Sequence, residues 1–308
     1  MGFVNYKNGN YVVYINTETG DKIRNTKDAE FLPAFAENCD VTISDRCDGH
    51  CGFCYAGCTE NGKHGDLNAK CLDTVHSYTE LAINGNDLSH PDLESFLIRM
   101  KDREVFVNMT LNQIHFERHY DYVLSLQDRK LIHGVGVSVT KPTDELIDKI
   151  KQTKNAVVHV INDIITEDVA RKMMGHDLDI LILGYKHTNR GRTYIDGRIL
   201  EMLQNRLWLY KHMDEIFDGF KSVSFDNLAI KQLQIKDKVP KEVWDKHYMG
   251  DDGKFTFFIN LVDGYFAKNS TDQKHYPLMD SVEEMYQYIQ EKEENDERKE
   301  KSNNSISR

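Results

Sequence analysis

Three cysteines stand on one short stretch, Cys47-Asp48-Gly49-His50-Cys51-Gly52-Phe53-Cys54-Tyr55, spaced C-x3-C-x2-C with an aromatic residue just before the last. Thiolates this close along a chain share one tight loop, where they can hold three irons of a cubane cluster and leave the fourth iron open. Zinc more often takes C-x2-C pairs brought together from two places. Iron–sulfur ligation is therefore the better reading, and a zinc knot is its alternative. All six cysteines fall between Cys39 and Cys71, which argues against a disulfide framework and for a reducing, cytoplasmic setting.

A chain of 308 residues is long enough for one large α/β domain with attachments, since a TIM-type barrel takes about 250. No run approaches the 18 or more apolar residues of a membrane span, and Met1 to Asn10 has no apolar core of a signal peptide, so no membrane partner is expected. The net charge of −11 argues against binding a nucleic-acid backbone, which is driven by clustered Lys and Arg releasing counterions.

Tyr11 to Ile15 and Lys22-Ile23-Arg24 predict a hairpin around a polar turn, set before the core. From Asn38 onward strand-like and helix-like segments alternate, the pattern of βα units. The strands expected are Val41 to Ser44, Leu81 to Asn84, Val105 to Leu111, Val135 to Thr140, Ala156 to Asn162 and Ile180 to Tyr185. Six suffice for a partial (β/α)6 TIM-type barrel with an N-terminal β-hairpin and a C-terminal β/α extension. The expected boundaries are 1–37 for the hairpin, 38–218 for the barrel, 219–290 for the extension and 291–308 for a charged, fraying tail. Leu93, Phe96, Leu97 and Met100 fall on one helical face, Thr143 is a plausible N-cap, and the stripe from Ile199 to Phe217 predicts one long core-facing helix. Ser222 to Phe225 reads as a seventh strand, Phe255 to Val262 enters a hairpin at Asp263-Gly264, and Val282 to Ile289 reads as an amphipathic helix.

Cys47, Cys51 and Cys54, with Phe53 before the third, resemble the signature of the radical S-adenosylmethionine (radical SAM) superfamily. The resemblance implies a [4Fe–4S] cluster whose open iron is chelated by SAM. It further implies a low-potential electron donor and cleavage of SAM to a 5′-deoxyadenosyl radical that takes a substrate hydrogen. Gly85-Asn86-Asp87 is similar to the family's Gly-Gly-Glu-Pro stretch, which holds SAM's amino group. The second glycine and the glutamate are replaced here, and Leu88 stands where the proline would. Aspartate keeps the acceptor oxygens that an ammonium needs, while an ordinary turn before a helix is the alternative. The resemblance also implies SAM contacts from Ser138 and Thr140 on the small face of the fourth strand, from Asn162 after the fifth, and from main-chain groups at Leu183 to Tyr185 after the sixth.

Cys39, Cys58 and Cys71 read as buried thiols. Lys186, Arg190 and Arg192 follow the sixth strand in a stretch from Tyr185 to Ile195 with no acidic residue, so they are candidates for holding an anionic group of SAM or substrate. A solvated surface loop is the alternative. No catalytic residue beyond the cofactor set is assigned. The absence of cysteines after Cys71 favours a small metabolite or nucleotide substrate slightly over a peptide. A non-enzymatic iron–sulfur or zinc-binding regulatory module is the reading from a different class.

Overall fold

A computed structural model describes residues 2–293. The chain begins with three antiparallel strands, β1 (Phe3–Asn8), β2 (Tyr11–Asn16) and β3 (Lys22–Asn25), so the expected hairpin gains a strand in front of it. The barrel strands are β4 (Asn38–Thr42), β5 (Glu80–Asn84), β6 (Phe106–Asn112), β7 (Gly134–Ser138), β8 (Ala156–Ile161), β9 (Asp179–Leu183) and β10 (Ser222–Phe225). All seven pair in parallel, each with its neighbour in sequence. β11 (Thr256–Asn260) pairs in parallel with β4, and β12 (Tyr265–Ala267) and β13 (Tyr276–Pro277) follow antiparallel. The resulting ten-stranded sheet ends at β10 and β13, which do not pair with each other, so the barrel is partial.

Burial alternates along these strands. In β6 and β9 every second residue is fully buried while the residues between are half-buried. The buried set, including Val107, Met109, Leu111, Ile180 and Ile182, forms the core with the helices. Each such side chain contributes roughly 1.5–3 kcal/mol on leaving water. The half-buried set faces a lumen and is rich in polar and small residues, such as Asn108, Thr110 and Ser138.

Helices α1 (Leu93–Asp102), α2 (Gln113–Arg118), α3 (Tyr120–Asp128), α4 (Asp144–Gln152) and α5 (Glu167–Met173) cover the outside. Thr143 caps α4 by accepting from the Leu146 N–H at 3.1 Å, as its position predicts. After β9 come α6 (Asn189–Tyr194), α7 (Ile199–Lys211) and α8 (Met213–Gly219), and α9 (Asn227–Gln232) follows β10. The single long helix expected from Ile199 to Phe217 is thus two, broken at His212, whose N–H bonds back to Trp208 O. Met202, Leu209 and Met213 are buried as the stripe requires, but Ile199 and Leu203 are exposed, so the buried face of α7 is narrower than the stripe. The expected helix after Val282 runs from 282. It takes in 291–293, and the rest of the expected tail lies outside the described residues.

The N-terminal sheet covers the lower end of the barrel. Arg24 grips Glu37 with two bonds of 2.7 and 2.8 Å, and Tyr11 donates to the same carboxylate at 2.6 Å. Lys22 pairs with Glu80 at the start of β5, and Asn155, just before β8, donates to Glu18 O. The strands' C-terminal loops converge at the other end.

Candidate functional site

β4 delivers the cysteine loop to that end of the barrel. Residues 43–65 fold back on themselves: Asp45 N–H bonds to Lys63 O, Thr59 N–H to Asp45 O, Cys47 N–H to Thr59 O and Gly65 N–H to Ile43 O. The second strand's loop is stitched to it. Asn84 donates to Ser44 O, and the Asn86 amide donates to Ser44 O at 2.7 Å and Arg46 O at 2.9 Å, with Cys58 Sγ at 3.6 Å. Asn86 and Leu88 both take left-handed φ, which shapes this turn.

Cys47, Cys51 and Cys54 are half-buried and unbridged, while Cys39, Cys58 and Cys71 are buried. Burial pushes the Cys47 and Cys51 thiols up, with the Arg190 charge pulling Cys51 back. Cys54 is drawn down, chiefly because the Cys58 thiol donates to it; the same bond pushes Cys58 up. Among the described residues no three His, Cys, Asp or Glu side chains converge tightly enough for a single metal ion. A cluster makes no such demand, since its three ligand sulfurs each take a different iron.

Two observations test whether a cluster fits. A Cβ on Gly49 would stand 3.3 Å from Cys47 Sγ, 3.9 Å from Cys51 Sγ and 3.3 Å from His115 Cε1, so the glycine keeps open a cradle that both sulfurs border. His115, wholly buried, bonds to Asp48 through Nε2 and leaves Nδ1 buried without a partner. The ring whose Cε1 borders the same cradle thus keeps one polar nitrogen unspent on protein groups. The residues fit.

The other sequence-derived candidates are placed unevenly. Gly85 packs against Met109 and Leu111, and Asp87 bonds to Ser89 Oγ at 2.5 Å and lies 3.5 Å from Arg46. Ser138 and Thr140 are half-buried at the mouth. The face they share is less roomy than its glycines imply, because the His159 ring from β8 lies against Gly136, where a Cβ would overlap it. Burial pushes His159 down to about 4, so it stands there as a neutral imidazole.

Asn162 is wholly buried and spends its amide on protein groups, donating to Gln232 Oε1 at 2.7 Å and accepting from Tyr185 N–H at 3.2 Å. Tyr185 N–H also meets Gln232 Oε1, Tyr185 O accepts from Gln232 Nε2, and Leu183 O accepts from Asn162 N–H. The main-chain groups expected at adenine are therefore bonded to Gln232 and Asn162. Lys186 Nζ bonds to Ser270 Oγ and sits 4.1 Å over the Tyr55 ring, Arg190 turns toward the cysteines, and Arg192 is exposed. The three cations do not form one patch.

Sequence reasoning missed Asp48, His115, His159 and Gln232. His115 follows the end of a barrel strand, so position was the signal available for it. Gln232 lies 47 residues from the Tyr185 main chain it satisfies, and nothing local marks it.

A search of solved structures finds the same architecture in Streptococcus suis SuiB bound to S-adenosylmethionine. The TM-score is 0.59 at 10% identity, over 89% of this chain and 84% of that one. The chain shares its fold with SuiB. SuiB alone matches with a TM-score of 0.55 at 11% identity, over 92% of this chain and 87% of that one. SuiB bound to the precursor peptide SuiA matches at 0.51 and 14% identity, over 83% and 65%. No family model and no curated protein sequence matches. At such identities SuiB and this chain have the backbone plan in common, while the side chains of the site are this chain's own.

Proposed function

We propose that the chain is a radical SAM enzyme in which Cys47, Cys51 and Cys54 hold a [4Fe–4S] cluster and SAM is the cosubstrate. The observation that carries this reading is the three-cysteine loop at the end of the first barrel strand, on a fold shared with a protein solved with SAM bound. When bound, the cluster supplies the electron that cleaves SAM to methionine and a 5′-deoxyadenosyl radical, which abstracts a substrate hydrogen. The electron comes from a low-potential donor. Asp87 keeps a carboxylate near the mouth for SAM's ammonium, and Ser138 and Thr140 offer hydroxyls on the lumen face. No helix among the described residues is long and apolar enough to cross a membrane. Separately, the unbridged cysteines support work in a reducing compartment.

For the substrate, a peptide moves ahead of the small metabolite. SuiB is solved with its precursor peptide. In this chain a cavity of about 180 Å³ opens beside the cysteine loop, lined by Asp45, Tyr55, Asn189, Asp263 and Tyr265. Small-molecule pockets run to roughly 300–1,000 Å³. The cavity therefore suits one side chain presented by a longer ligand.

The test is anaerobic reconstitution of the full chain, followed by reduction with SAM present. Iron and sulfide in cluster amounts and slow release of 5′-deoxyadenosine are expected, both lost when the three cysteines become Ala. Stoichiometric zinc with no iron–sulfur signal would sink the reading. A stable cluster without SAM cleavage would leave an iron–sulfur module.

A further inference from the structure

We propose that Arg190 is a positioning residue for the cluster, clamping the cysteine loop and offsetting the negative charge that the thiolates bring; this rests on the cluster reading above. The segment after β9 is folded onto the loop rather than opened to solvent. Thr188 Oγ1 and Asn189 Nδ2 both donate to Tyr55 O, at 2.9 and 2.7 Å. The Tyr194 ring meets Phe53 edge-on with centroids 5.6 Å apart, and it lies 3.0 Å from where a Gly52 Cβ would stand. Between these anchors Arg190 Nε donates to Cys51 O at 3.0 Å. Its two terminal nitrogens have no hydrogen-bond or carboxylate partner among the described residues, so one bond to the main chain of Cys51 leaves most of the guanidinium unspent.

A guanidinium bonded to the main chain of Cys51, on a segment anchored to the loop on either side and with its fork unspent, is preorganised for an anionic group at the sulfurs. Three thiolates leave a cluster with net negative charge, and reduction adds one more. A fixed cation nearby stabilises the reduced state more than the oxidised one and raises the potential. Hydrogen bonds from a ligand's surroundings act in the same direction. Lysine would keep the charge but lose the fork and the bond to Cys51 O.

The experiment uses the reconstituted full chain, Arg190→Gln and Arg190→Lys, each measured for iron content, for midpoint potential without SAM, and for binding of labelled SAM. The Gln variant should hold parent amounts of iron at a more negative potential, the Lys variant should lie between, and SAM affinity should change little. Loss of iron from both variants with native circular dichroism would overturn the charge-offsetting role and leave Arg190 a structural clamp of the loop. An unchanged potential overturns the proposal: with a tenfold or greater loss of SAM affinity Arg190 belongs to the cosubstrate, and without it the residue is surface charge. A parent protein that holds no cluster is the failure of the underlying reading, visible before any variant is made.

Discussion

His115 Nε2 donates to Asp48 Oδ1 at 2.5 Å, and Arg118 donates to the other oxygen of the same carboxylate at 2.6 Å. The direction follows from Asp48, which these two bonds hold down at about 2, so it accepts at neutral pH. Asp48 lies between the first two cysteines, and α2 thereby pins their loop. Asp48→Ala should lower stability by roughly 1–2 kcal/mol, the lower part of the charge-assisted range because the carboxylate is partly exposed. It should also lower the iron retained after reconstitution. Urea denaturation with an iron assay checks both, and parent values in both would show that the clamp is idle.

Asn86 was expected to face SAM, but its amide is committed to Ser44 O and Arg46 O in left-handed backbone. Asn86→Ala removes both bonds and strains the turn, at a cost of roughly 1–3 kcal/mol. Iron retention should suffer before SAM affinity does. A selective loss of SAM binding with iron intact would return Asn86 to the cosubstrate.

Glu37 is almost wholly buried beneath Arg24 and Tyr11. Glu37→Ala leaves the guanidinium without its partner, and breaking such a pair costs about 3–5 kcal/mol. Thermal melts should show the loss, with little effect on the iron bound at 4 °C by chains that remain folded, since Glu37 stands at the opposite end of the barrel. A change of under about 1 kcal/mol would mean that the N-terminal sheet is not integral to the barrel.

His159 carries a pH prediction. Its folded-state value of about 4 is below the ordinary imidazole value, so the unfolded chain binds the proton first. Its contribution is complete above the unfolded value and is lost as pH falls from about 6.5 toward 4, at up to about 1.4 kcal/mol per pH unit. His159→Gln should flatten that part of the stability profile. An identical profile in the variant would mean that the ring is hydrated in the folded lumen.

The cysteine spacing, the alternation of βα units and the Thr143 cap are local patterns, and they were legible because chain neighbours create them. Cysteines three and four residues apart share a loop in whatever fold carries them, and the strand period of two marks a buried face before its partner is known. What the cysteine loop rests on was not legible. Arg190 reaching Cys51, His115 holding Asp48 and Gln232 occupying the Tyr185 main chain join residues 47 to 139 positions apart, and no pattern along the chain records such pairs. The same holds for the space over Gly136, open by composition and filled by His159 from the next strand. The sequence by itself determined which atoms can ligate iron and which faces are apolar, since those are properties of residue type and spacing. Only the tertiary structure decided which polar groups are already spent on one another, because a hydrogen bond made between distant strands is no longer available to a ligand.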